Sequence, residues 1–383
     1  MSLRQALAGD LAAVVQRSQF RRRRVLESPQ QPHAVIDGRS VTAFCSNDYL
    51  GLAADPRIAA AAKAGIDRYG TGAGASHLIN GHVTAHHELE LALAAFVRMP
   101  AALLFSTGYM ANLGVVTALL GRGDAVFADR LNHASLNDAA LLSRATLKRF
   151  PHNDLDALEQ QLRTTKARRR LIVVDAVFSM DGDAAPVAGL LALCERYDAW
   201  LMLDDAHGFG VLGPQGRGTA TQAGIRSERL IYMATLGKAA GVAGAFVAGE
   251  PELVELLIQH ARTYIFTTAA PALQAHALLT SLQLIEHEEW RRSRLQDLIA
   301  RLRSGLAGST WRLLPSGTAI QPLMIGDNDA AVSLAERLAG EGLLVPAIRP
   351  PTVPQGTARL RISLSAAHTP EDVDRLVAAL CAA

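Results

Sequence analysis

Between about residue 100 and residue 250 the chain repeats one unit: a short apolar run of β-formers, a turn of small or polar residues, then a stretch with helical spacing. Strands are expected at residues 102–105, 125–128, 171–174, 200–203, 230–234 and 244–248, with helical patterns between most of them. Antiparallel hairpins need no such intervening helices, so the alternation predicts an α/β fold with a mostly parallel sheet covered on both faces. Ligands of these sheets bind beyond the carboxyl ends of the strands. Polar residues gather there in this sequence: Ser106 to Gly108, Ser179, Asp204 with His207, and Thr235 with Lys238.

The last of these places a lysine three residues beyond a β-rich run, in the loop Thr235-Leu236-Gly237-Lys238-Ala239-Ala240-Gly241. A P-loop does not fit, because Tyr232 stands where the first glycine belongs and Ala239 where Ser or Thr would hold magnesium. Lys238 instead reads as a Schiff-base lysine. Asp204 ends another expected strand, three residues before His207 in a glycine turn. A buried carboxylate needs a partner, and the protonated ring nitrogen of pyridoxal 5'-phosphate (PLP) is a suitable one. His207 would then reach the phenolic oxygen of that ring. A divalent-metal site at Asp204-Asp205 with His207 is the rival reading, and an ordinary turn a third. Ser106-Thr107-Gly108-Tyr109 precedes a helix, whose free N–H groups suit a phosphate, although a simple N-cap explains the same residues. His133 alone reads as a loop histidine.

Elsewhere the chain sets limits. Its 38 basic and 36 acidic residues leave a net charge of +2, which gives no support to a nucleic-acid or membrane partner. Three cysteines, Cys45, Cys194 and Cys381, without C-x-x-C spacing suit reduced thiols and a cytoplasmic protein. No apolar run has the length of a membrane helix. Residues 1 to about 40 predict a helix carrying Arg21-Arg22-Arg23-Arg24, then a connector. Asp55-Pro56 predicts a helix start and Gly70 its stop; Thr369-Pro370 predicts the start of the last helix. Gly70 to Ser76 matches a dinucleotide fingerprint only loosely and reads as a glycine loop lining a site. Long helices are expected at 271–286 and 290–306. The expected division is 1–45 as N-terminal helix and connector, 46–285 as the large sheet domain, and 286–383 as a smaller α+β domain.

Five ordered motifs, Ser106-Thr107-Gly108-Tyr109, Asn132-His133-Ala134-Ser135, Val177-Phe178-Ser179-Met180-Asp181-Gly182-Asp183, Asp204-Asp205-Ala206-His207-Gly208 and Thr235-Leu236-Gly237-Lys238, resemble those of the α-oxoamine synthases. These are PLP-dependent transferases of fold type I, the aspartate-aminotransferase-like fold. The resemblance runs from Phe44 to Thr369. Within the family, the C-terminal run from Ala347 to Arg361, with Ile348-Arg349-Pro350-Pro351, resembles the member of the biotin pathway.

The resemblance implies that His133 stacks on the cofactor ring, Asp204 pairs with its nitrogen, and His207 and Ser179 hold its polar edge. It implies that Gly108, Tyr109 and Thr235 bind phosphate or its surroundings, and that Thr267 and Thr268 reach the phosphate of a partner subunit in a homodimer. Arg361 would grip the amino-acid carboxylate, and Arg21, Asn47, Arg349 and Thr352 would line the substrate site with His133. The implied reaction condenses L-alanine with a pimeloyl group on CoA or acyl carrier protein, losing carbon dioxide. Other members, acting on glycine or serine, share the cofactor pocket; an aminotransferase or a PLP-binding regulatory module are more distant alternatives. Asp175 where relatives often have glutamate, Ala75 where a glycine is usual, and Gly244-Ala245 where many carry two glycines are departures that touch acyl fit and loop shape.

Overall fold

A computed structural model of the chain describes residues 1–17, 20 and 23–382. Helix α1 spans Leu3–Gln16 and is capped by Ser2, but buries none of its side chains. It stops short of the arginine cluster, which corrects the expected helix through those residues. Arg23 and Arg24 lie in exposed, non-helical chain, and Arg21 falls outside the described residues.

The expected connector contains a hairpin. Strands β1 (His33–Ile36) and β2 (Arg39–Ala43) pair antiparallel around Asp37 and Gly38, both at positive φ (50° and 73°). Asp-Gly between β-branched runs is the composition such a tight turn requires. Helix α2 (Pro56–Tyr69) starts as expected, with the Asp55 carboxylate accepting from Arg57 N, and stops at Gly70, φ 74°. Helix α3 covers Thr84–Phe96.

Seven strands then build the main sheet: β3 (Ala101–Phe105), β4 (Ala125–Asp129), β5 (Thr146–Phe150), β6 (Arg170–Asp175), β7 (Trp200–Asp204), β8 (Leu230–Thr235) and β9 (Ala245–Gly249). Their order is β3-β9-β8-β7-β6-β4-β5. All pairings among β4 to β8 are parallel, and β9 runs antiparallel to both its neighbours. Successive side chains of the central strands serve opposite faces, as the pleat dictates. Ile172 and Val174 join the core on one side, Leu171 and Val173 the core on the other. Helices α4 (Gly108–Leu119) and α5 (Ala134–Ser143) follow β3 and β4, so their N-termini lie at the same edge as the carboxyl ends of β4, β6, β7 and β8.

The C-terminal helices, Ala272–His287 and Glu289–Gly305, fall within one residue of their expected bounds. Strands β10 (Arg312–Leu313), β11 (Ile320–Gly326), β13 (Ala347–Ile348) and β14 (Ala358–Ser363) form a second, antiparallel sheet in the order β10-β11-β14-β13. Strand β12 (Leu343–Leu344) instead pairs with β2, joining the N-terminal hairpin to this part of the chain. The last helix, Pro370–Cys381, is capped by Thr369. The three cysteines are unpaired, and no helix among the described residues is long and apolar enough to cross a membrane.

Candidate active site

Lys238 is placed by a loop that has one way to bend. After β8, Leu236 N donates to Gly244 O and Gly241 N to Lys238 O, at 2.8 Å each. Gly241 has φ 71°, and a Cβ there would lie 2.6 Å from Ala53 N, so the loop packs directly on the backbone after Leu52. The ammonium end points inward, with Nζ 2.8 Å from His207 Nε2. Burial, reinforced by the charge of Arg361, lowers the lysine to about 8, although Asp204 and Asp175 pull the other way.

Asp204 ends β7 beside Asp175, its register partner at the end of β6. The Asp204 carboxylate accepts from Asn112 Nδ2 at 2.8 Å and from Ala206 N at 3.1 Å. Asn112 lies one turn into α4, fully buried, and its second amide hydrogen reaches Ser135 Oγ. Ser135 Oγ lies 2.7 Å from His133 Nδ1, and His133 N donates to Asp175 at 2.6 Å. Burial and the neighbouring Asp204 push Asp175 well above the usual carboxylate range. A polar chain therefore runs Asp204–Asn112–Ser135–His133–Asp175. Asp205 turns away from it, accepting from Thr219 N and Tyr232 OH, and burial raises it to about 7.

His207 bridges two groups. Its Nδ1 lies 2.6 Å from the Tyr49 hydroxyl, and Tyr49 also reaches Asn47 Oδ1 at 3.0 Å. Burial holds His207 well below its ordinary range, and the charges of Lys238 and Arg361 add to the effect, so the imidazole is neutral. Arg361, on β14, donates to Ser179 O (2.6 Å), Ser363 Oγ (2.7 Å) and Asn47 Oδ1 (3.2 Å). Two residues earlier Arg359 pairs with Asp181 at 2.6 Å, so one strand of the second sheet fixes the loop that carries Ser179.

These groups surround a cavity of ≈ 180 Å³, lined by Gly108, Tyr109, Asn112, His133, Ser179, Asp204, His207, Thr235 and Lys238. Every cofactor-contact residue expected from sequence lines it except Thr267 and Thr268, which lie on a separate segment after Phe266. The Tyr109 hydroxyl is directed out of it, donating to Asp138. Arg349 and Thr352 line a second cavity, of ≈ 540 Å³, with Phe20, Arg24, Cys45 and Ile348. Arg21 lies outside the described residues. Asn112, Ser135 and Tyr49 were not anticipated as site residues. An asparagine among the apolar residues of α4 was the available signal for the first.

The lining fits PLP by its chemistry. It offers an amine with a lowered pKa for an aldehyde, a buried carboxylate for a protonated ring nitrogen, and the first turn of α4, capped by Thr107, for a phosphate. Asn112 Oδ1 is buried with no hydrogen-bond partner among the described residues, which leaves acceptor capacity beside Asp204.

Comparisons with known proteins agree. The profile of the class I and II aminotransferases matches residues 39–380. The chain is 68% identical over 365 residues, 94% of each sequence, to the 8-amino-7-oxononanoate synthase of Nitrosomonas europaea. It is 62% identical over the full length of both sequences to the enzyme of that name in Herminiimonas arsenicoxydans. A solved lysine-to-alanine variant of the serine palmitoyltransferase from S. paucimobilis, with a bound PLP–myriocin aldimine, superposes with a TM-score of 0.93 at 31% identity, covering 100% of this chain and 98% of that one.

Proposed function

Because the chain belongs to the class I and II aminotransferase family, among the 8-amino-7-oxononanoate synthases, we infer that its cavity joins L-alanine to a pimeloyl thioester. It is a PLP-dependent acyltransferase of biotin biosynthesis, with the fold of the type I PLP enzymes. The products of the reaction are 8-amino-7-oxononanoate, carbon dioxide and the free thiol carrier, CoA or acyl carrier protein. The observation that carries this reading is the meeting of Lys238 and Asp204 in one buried cavity at the ends of adjacent strands.

Bound PLP supplies an electron sink for the pair left on the amino acid's Cα after loss of its proton or of carbon dioxide. The protein does the rest. Lys238 would hold the cofactor through its carbonyl carbon and, as a free amine, would take the α-proton; burial makes that form available near neutral pH. Neutral His207 accepts from Lys238 Nζ and so aims it. Asp204, fixed by Asn112 and Ala206 N, would hold the ring nitrogen, and His133 would hold the ring face. Gly108, Tyr109 and Thr235 form the phosphate end, Ser179 the polar edge, and Thr267 and Thr268 serve the partner's site in a homodimer. Arg361 receives the alanine carboxylate beside Asn47.

The larger cavity suits the acyl donor. Ile348 and the neighbouring aliphatic side chains can cover methylenes, while Arg349 and Arg24 offer cations and Thr352 a hydroxyl to a distal carboxylate; Arg21, which lies outside the described residues, is proposed to bind the same substrate. The proposed division of the chain is 1–45, 46–285 and 286–383; the main sheet falls within the second part and the sheet β10-β11-β14-β13 within the third. A cytoplasmic location follows from the same reading.

The test is mass spectrometry of the product made from pimeloyl-CoA and an equimolar mixture of L-alanine, glycine and L-serine. Dominant 8-amino-7-oxononanoate is expected. A glycine- or serine-derived ketone would keep the chemistry and reject alanine. No product with either pimeloyl-CoA or the carrier-protein thioester would reject the acyl donor.

A further inference from the structure

We propose that His82, His87 and Glu90 form a binding site for a divalent transition-metal ion of the zinc class. The site lies at the start of α3 and shares no residue with the cavity that holds Lys238.

Three potential ligand atoms, one from each side chain, lie within 4.8 Å of one another. His87 and Glu90 stand at i and i+3 on α3 and so project from one face. His82 sits just before the helix, with Nε2 3.8 Å from Glu90 Oε2. Two imidazoles and a carboxylate are the donors zinc takes at about 2.0–2.2 Å, with water completing a tetrahedron. Contraction from the observed spacing needs a shift of about 1 Å, which His87, exposed to solvent, can make by rotating.

The surroundings are those of a supported ligand set. Glu90 Oε1 accepts from Leu104 N at 2.9 Å, which anchors the carboxylate to β3 and leaves Oε2 for the ion. His82 Nδ1 lies 3.0 Å from His77 Nδ1; a metal on Nε2 fixes the tautomer in which His82 donates to His77, the outer hydrogen bond that histidine ligands commonly make. His77 is itself held by stacking on Tyr264. Burial and the adjacent His86 and His87 lower His82, so its imidazole is unprotonated at neutral pH. Burial raises Glu90 to about 7, a cost to the carboxylate that a cation would offset.

The neighbouring trio His77, His82 and His86 is a poorer site. Both His86 nitrogens are engaged, Nε2 with Ala270 O at 2.8 Å and Nδ1 with Val83 N at 3.2 Å. Ligation there would break the N-terminal bond of α3.

Isothermal titration of ZnCl2 into untagged holoenzyme tests the site. One saturable site per chain is expected. His87→Ala removes an exposed ligand without disturbing the core, and should weaken binding by at least about tenfold, the lower bound for losing even an outer partner. Glu90→Gln keeps the bond to Leu104 N and should weaken it comparably. His260→Ala, which removes an exposed histidine elsewhere, should bind as the parent does. Zinc should also raise the melting temperature of the parent and not of His87→Ala. Absence of saturable binding, or unchanged affinity in both His87→Ala and Glu90→Gln, would overturn the proposal.

Discussion

The Tyr49 hydroxyl lies 2.6 Å from His207 Nδ1, on the opposite side of the imidazole from Lys238. Tyr49 accepts from Arg361 and has one proton to share between Asn47 and His207. When it donates to Asn47 Oδ1, His207 must donate from Nδ1, and its Nε2 lone pair then faces the lysine. Tyr49→Phe keeps the ring in the core but strands a buried nitrogen, a loss of about 1–3 kcal/mol. The expected result is a kcat about tenfold to a hundredfold lower, with cofactor still bound. A pH–rate profile should show a displaced limb, which packing damage alone would not produce.

Lys238 makes a second pH test. Only the unprotonated amine attacks an aldehyde, and burial lowers this lysine to about 8. Covalent attachment of PLP to apoenzyme, followed by absorbance, should accelerate as pH rises through about 8 and level off above it. Acceleration continuing to the range of a free lysine, about 10.4, would contradict the lowered value. Lys238→Ala should abolish both attachment and turnover.

Asn112→Ala tests the grip on Asp204. One charge-assisted hydrogen bond is lost, worth about 1.5–3 kcal/mol. PLP should dissociate at least about tenfold more readily, as measured by equilibrium dialysis. Asn112→Asp should be worse, because it sets a third carboxyl group beside Asp175 and Asp204.

His152 links stability to pH. It lies 3.2 Å from Asp129 and 2.7 Å from Asp183. Burial alone would lower it, but the two carboxylates outweigh that and hold it up at about 10. A folded-state pKa above the unfolded one, about 6.5, gives stability that is complete below pH 6.5 and is lost as pH rises through 10. Urea unfolding should therefore show His152→Gln less stable by about 2 kcal/mol at pH 6, discounted for partial solvent access, with the gap closing by pH 10.

Gly241→Ala should lower the melting temperature and impair cofactor attachment together. The position needs positive φ and leaves no room for a methyl against Leu52 and Ala53. The combined strain and overlap are worth about 2–4 kcal/mol.

Much of the site could be read from the chain because its chemistry sits at strand ends. Asp204, His207, Thr235 and Lys238 each follow an apolar run whose direction is set by the parallel sheet. Caps were equally readable at Asp55, Gly70 and Thr369, where local hydrogen bonding determines the geometry. Strand β5 was not, because Thr146-Leu147-Lys148-Arg149-Phe150 is an exposed edge whose charges interrupt any apolar pattern. Tyr49 is separated from His207 by 158 residues, and no periodicity reports a contact made only by the folded topology. Asn112 is the intermediate case, since its helix was foreseen but not which face would carry Asp204.

Arg361 is the feature with the widest consequence. Its guanidinium already donates to four acceptors, Ser179 O, Ser363 Oγ, Asn47 Oδ1 and, at 3.5 Å, the Tyr49 hydroxyl. A carboxylate arriving there does not have to freeze a wandering side chain, because the rotamer freedom of about 2 kcal/mol was surrendered when the chain folded. A bidentate fit instead requires it to displace one of the oxygens already held. Binding at this arginine is thus an exchange between acceptors on a side chain already ordered, which lowers the entropic cost of holding the ligand.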